Sequence, residues 1–126
     1  MKELLFENEI IRFEFENGII IGTFKLESVD INLAKEVTTH RLQIQKGKSF
    51  PLLSNIKSIK SSTKQARDYM ASEEGCQGVV AAAVLIDSPL GSMIGNFFIS
   101  ISRPYVTTKI FTDDSDAKKW LAQFVK

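Results

Sequence analysis

Hydrophobic and polar positions change period several times along the chain, and each change predicts an element. Between Glu9 and Lys25, Ile11, Phe13 and Phe15 alternate with Arg12, Glu14 and Glu16, the period of two that gives a strand one wet face. Asn17-Gly18 follows, and both residue types tolerate the positive φ of a type I′ turn, so the stretch predicts a hairpin. The return strand, Ile19-Ile20-Ile21-Gly22-Thr23-Phe24, is more apolar and is expected deeper in the sheet. Gly22 inside it marks a bulge or a close approach of backbone. Asp30 to Lys46 takes up the helical period, with Asp30 as cap, Leu33, Val37, His40 and Ile44 as the core stripe, and Gly47 as terminator. Phe50 to Asn55 reads as a short strand in which Pro51 is tolerable only at the start or at an edge. Ile56 to Lys60 is expected to be a polar connection. The second helix is expected to begin at Ser61-Ser62-Thr63, where Ser62-Thr63-Lys64-Gln65 has the pattern of a capping box, and Ala66, Tyr69, Met70 and Glu73 share one of its faces.

From Val79 to Ile86 there are eight consecutive apolar residues, closed by Asp87-Ser88-Pro89. The run is too short for a membrane span and too uniformly apolar for a half-exposed strand, so it predicts a central strand covered on both faces. Leu90, Met93, Ile94, Phe97, Phe98 and Ile101 then recur at helical spacing, predicting a helix over 90–103 with Ser88 as cap and Pro89 in its first turn. Pro104 stops it. Tyr105 to Phe111 reads as the last strand, and Thr112 to Asp116 caps a closing helix with Ala117, Trp120, Leu121 and Phe124 inward. The predicted fold is α/β: a mostly parallel sheet of about five strands, an N-terminal β-hairpin, three αβ units and a C-terminal helix, all in a single domain over 1–126.

Composition narrows the function classes. At 126 residues the chain is long enough for one domain with a substantial core. Its formal net charge is +1 with acids and bases interspersed, so no footprint for nucleic acid or an anionic membrane is visible. A single cysteine, Cys76, excludes an intrachain disulfide and fits a reducing compartment. No signal-peptide pattern follows Met1, and no apolar run reaches the ~20 residues of a spanning helix. The expected location is cytoplasmic, without a transmembrane segment.

The C-terminal third, Gly95-Asn96-Phe97-Phe98 through Lys109-Ile110-Phe111-Thr112-Asp113 and Ala117-Lys118-Lys119-Trp120-Leu121, resembles the SpoIIAA-like branch of the STAS superfamily, among uncharacterised STAS/SEC14-like bacterial domains. Leu52-Leu53-Ser54-Asn55, the following segment and Ser61-Ser62-Thr63 also resemble the strand-loop-helix unit of that group. The resemblance implies a curved sheet with packed helices, no catalytic machinery and no cofactor. It implies a regulatory or protein-binding role, through a protein partner or a homodimer. In the anti-anti-sigma branch a serine at the start of the corresponding helix is phosphorylated, which makes Ser61, Ser62 and Thr63 candidate phosphosites. The branch's usual Asp-Ser-Ser-Gly-like signature reads Lys60-Ser61-Ser62-Thr63 here, without the acid or the glycine.

The residues themselves offer little catalytic chemistry. His40, the one histidine, shares a stripe with Leu33, Val37 and Ile44 and reads as a packed residue rather than a metal ligand. Cys76 lies beside Glu73 and Glu74, the opposite of the electropositive setting that activates a thiol. Asp113, Asp114 and Asp116 are explained by helix capping, so no metal site is expected. A second candidate surface, for a ligand or partner, is Ser88, Gly91, Ser92, Met93, Gly95, Phe97 and Phe98, where a helix start could face an anion and Met93, Phe97 and Phe98 an apolar group. The alternative to a protein-interaction module is therefore a carrier or sensor of a lipid-like or other apolar small ligand between the 89–102 helix and the sheet. A cavity of several hundred Å³ there would mark the carrier; a filled core with an exposed apolar patch would mark the interaction module.

Overall fold

The structure is a computed structural model and describes residues 2–87 and 104–126. The predicted 90–103 helix, and with it Ser88, Gly91, Ser92, Met93, Gly95, Phe97 and Phe98, lies outside the described residues.

Among the described residues six strands form one mixed sheet. They are β1 (Glu3–Glu7), β2 (Ile11–Glu16), β3 (Ile19–Phe24), β5 (Phe50–Asn55), β7 (Val79–Leu85) and β8 (Thr108–Phe111), in the spatial order β1-β2-β3-β5-β7-β8. The first two pairings are antiparallel and the remaining three parallel. The short strands β4 (Ser28–Val29) and β6 (Ser61–Ser62) make a separate parallel ladder. The helices described are α1 (Ile31–Gln45), α2 (Lys64–Ala71) and α3 (Asp114–Ala122).

The predicted hairpin is β2–β3, with Asn17 at φ 51 and Gly18 at φ 83, the positive-φ pair of a type I′ turn. Gly22 lies directly opposite Phe13, and a Cβ there would stand 2.8 Å from the Phe13 ring. The missing side chain makes room for that ring, which is 2 % exposed. Asp30, Thr63 and Asp113 cap the three helices, each side-chain oxygen accepting a backbone N–H of the first turn.

Several expectations need correction. Among the described residues the sheet has six strands rather than about five, because β1 precedes the hairpin. Its sequence, ELLFE, lacks alternation, and as an edge strand it needs a wet flank only along one side. Ser61 and Ser62 belong to β6, and the second helix starts at Lys64 with Thr63 alone as its cap. The 56–60 connection is not polar: Ile56 and Ile59 are buried at 3 % and 7 % exposure. Pro51 lies in a central strand, and the β5–β7 register shifts between Phe50 and Leu52. That irregularity accommodates the residue without an N–H. The last strand is shorter than expected and leaves Tyr105 exposed.

Alternate residues of the strands feed two cores. On one face Ile19, Ile21, Leu53, Ala81, Ala83 and Leu85 pack against Ala117 and Leu121 of α3, with Trp120, Phe111 and Phe124 at the margin. On the other, Phe13, Ile20, Phe24 and Val84 pack against Ala34, Val37 and Ala66 of α1 and α2.

Candidate functional site

The face beneath α1 and α2 is incompletely filled. A cavity of about 100 Å³ lies there, bounded by Phe13, Phe24 and Val84 of the sheet, Val37 and Arg41 of α1, and Met70 of α2. Its walls are mainly hydrocarbon, with Thr38, Ser54, Thr108, Arg41, Arg67 and Cys76 as the polar contributors. One origin of the space is legible in the strands: Ala82 contributes almost no side chain to it. A wider depression of about 830 Å³, bounded by Ser72, Glu73, Glu74 and Tyr105, is open to solvent and lacks an apolar lining of comparable continuity.

Arg41 is the unexpected member. The buried residues of α1 are Ala34, Val37, Thr38, Arg41 and Gln45, so the inward face is rotated from the expected Leu33, Val37, His40 and Ile44. Leu33 and Ile44 flank the core half-buried. Positions 34, 37, 38, 41 and 45 share one helical face, and a charged residue at core spacing was the available signal. Hydropathy alone hides it, because arginine counts as polar wherever it stands. Arg41 is 3 % exposed. Its Nη1 donates to Gln45 Oε1 at 2.7 Å and to the Gln77 carbonyl at 2.8 Å, and its Nη2 donates to the Gly75 carbonyl at 3.1 Å. Gln45 Nε2 donates in turn to the carbonyls of Lys48 and Gly78, both at 2.9 Å. Arg41 and Gln45 together hold the 75–78 loop against α1. Burial pushes the guanidinium below its ordinary value, yet an arginine stays charged at neutral pH.

Burial also pushes the Cys76 thiol up, and its Sγ lies 3.4 Å from the Met70 carbonyl. It is therefore held as a thiol, a poor nucleophile. Tyr69 is raised by burial and by its bond to Glu74. His40 stacks on Phe6 of β1 with ring centroids 4.4 Å apart, and its Nε2 lies 3.5 Å from Glu36.

The sequence-predicted phosphosites stand apart from the cavity. Ser61 is exposed and its hydroxyl lies 2.9 Å from that of Ser28. Ser62 accepts from Arg67 through its carbonyl at 2.6 Å and its hydroxyl at 3.2 Å, and Thr63 Oγ1 accepts from the Ala66 N–H at 3.1 Å. Among the described residues no three metal-ligating side chains gather, and no helix is long and apolar enough to cross a membrane.

Comparison with known proteins agrees with this architecture. A family model described as a domain of unknown function, DUF7793, matches residues 13–125. The crystal structure of an uncharacterized protein from the DUF3478 family with a SpoIIAA-like fold, from Shewanella loihica PV-4, is similar along 96 % of this chain and 95 % of its own. The TM-score is 0.57 and the sequence identity 14 %, so the similarity establishes a SpoIIAA-like fold. No curated protein matches the chain.

Proposed function

The chain belongs to DUF7793, a family of domains of unknown function, and from that premise we propose that it is a non-enzymatic regulatory module of SpoIIAA/STAS type that holds a small apolar molecule beneath α1 and α2. The observation that carries this reading is the cavity of about 100 Å³ with mainly hydrocarbon walls beneath α1 and α2. Protein interiors are packed as densely as organic crystals, and an apolar space of ~150 Å³ is enough to take benzene. Common ligand pockets are larger, about 300–1,000 Å³. The size therefore favours a compact occupant over a lipid chain.

Titrating xenon, an apolar probe smaller than benzene, into the ¹⁵N-labelled chain tests the reading. Saturable amide shifts confined to Ala34, Val37, Val84 and their neighbours are the expected result. Unmoved resonances at those positions would remove its support.

A second reading, a protein-interaction switch at the β6–α2 junction, is favoured by the setting of Ser61. Of the three candidate hydroxyls it is the one that meets another hydroxyl, that of Ser28, where Ser62 meets Arg67 and Thr63 caps the helix. Phosphate on Ser61, detected by intact mass on protein from its own cells, would support this switch; phosphate confined to other positions would overturn it.

A further inference from the structure

The ligand reading leaves the charge of Arg41 unexplained. Its three hydrogen bonds go to neutral acceptors: one side-chain amide and two backbone carbonyls. No Asp or Glu among the described residues forms an ion pair with it, and residues 88–103 contain neither acid. Among the described residues the guanidinium is thus buried against neutral acceptors, without a counter-charge that an anion could supply.

A guanidinium carries five N–H donors. Two bonds from Nη1 and one from Nη2 account for three of them. Among the described residues the Nε–H and one Nη2–H have no acceptor, and Nε and Nη2 are neighbours along one edge of the guanidinium. That edge matches the two oxygens of a carboxylate through parallel bonds. Arg41 also borders the cavity, whose remaining walls are mostly apolar.

We infer that the cavity takes a compact monocarboxylate, its branched or cyclic hydrocarbon body packed against Phe13, Val84 and Met70 and its carboxylate held by Arg41. The inference rests on the ligand reading above and adds the anionic head to it. The space, about two-thirds of a benzene-sized ~150 Å³ cavity, limits the occupant to about four non-hydrogen atoms in its hydrocarbon part. Pinning the 75–78 loop is a role Arg41 fills without any ligand, so the test must separate charge recognition from loop anchoring.

Isobutyrate and its neutral counterpart isobutyramide form the probe pair, titrated separately at pH 7 into the ¹⁵N-labelled full chain. The expected result is binding of isobutyrate at least tenfold tighter than isobutyramide, with the Arg41 Nε–H resonance moving only for the acid. Equal affinities, or an unmoved Arg41 resonance, would overturn the anionic head while leaving the apolar cavity site in place. Failure of both probes to bind would overturn the two readings together. Arg41→Met, where circular dichroism shows it folded, is expected to abolish the tenfold preference; a preference that survives would remove the assignment to Arg41. Should this variant not fold, the Nε–H response of the wild-type chain decides the matter alone.

Discussion

The two faces of the sheet are built from alternate residues of the same strands, yet they were filled to different degrees. Toward α3, β7 presents Ala81, Ala83 and Leu85, and small and large side chains interlock so that Leu53, Leu121, Ala81 and Ala83 have no exposed surface. Toward α1 and α2 the same strand presents Ala82 and Val84, and there the packing leaves a cavity with a buried guanidinium in its wall. On the first face the described side chains interlock; the second retains space beside a guanidinium that meets carbonyls rather than an acid among the described residues.

Truncation on the filled face is expected to have the largest effect. Leu121→Ala removes a fully buried side chain and should lower stability by about 3–4 kcal/mol, read from the urea midpoint at unchanged slope. Enlargement separates the faces more sharply. Ala83→Val pushes two carbons into the α3 seam and should cost about 1–3 kcal/mol. Ala82→Val, one residue away, extends into the cavity and should be neutral or stabilising by about 0.5–1 kcal/mol. Equal losses from both would show that the faces are packed alike. Arg41→Met leaves the carbonyls of Gly75 and Gln77 without their donor and should cost about 1–2 kcal/mol. Hydrogen exchange should quicken in the 75–78 loop first, because that is the segment released.

The smallest effect is electrostatic. Lys118 Nζ on α3 lies 2.9 Å from Glu16 of β2 and 2.9 Å from Asp114. The bond to Lys118 holds the Glu16 carboxyl below its usual range, so its contribution is present above the ordinary glutamate value and is lost as pH falls through the lowered one. The pair is partly exposed, which limits the contribution to under about 1 kcal/mol. Glu16→Gln should flatten that part of the acid limb of the stability–pH curve; wild-type and variant curves of identical shape would count against it. Glu7 is also lowered, by Lys25 and Arg12, so the difference between the two proteins is the quantity to measure.

Much of the fold could be read from the chain because its signals are local. Asn17-Gly18 dictates the hairpin turn, the Val79–Ile86 run dictates a strand covered on both sides, and Asp30 and Asp113 cap helices where short polar side chains precede apolar periods. β1 escaped because an edge strand of ELLFE composition has no period of its own. The Ser61–Ser62 ladder escaped because its partner, Ser28–Val29, is distant in sequence. The cavity is a sum over seven elements, and no stretch of sequence encodes it. Arg41 stood in plain view at core spacing, but the choice between a solvated and a buried arginine depends on the Gly75 and Gln77 carbonyls that meet it.

The strand order also divides the chain into two kinetic halves. β1, β2 and β3 follow one another through tight connections, whereas each parallel pairing from β3 to β8 must first close a long crossover. Hairpins form in about 1–10 μs, while distant pairings wait on loop closure. The antiparallel meander thus stands ready as a template, and Ile20 to Thr23 of β3 offer the edge on which β5 is laid down. The cavity face is therefore finished late: until β5 and β7 have docked in turn, Arg41 has no carbonyls to meet, and its charge remains in water through most of the search for the fold.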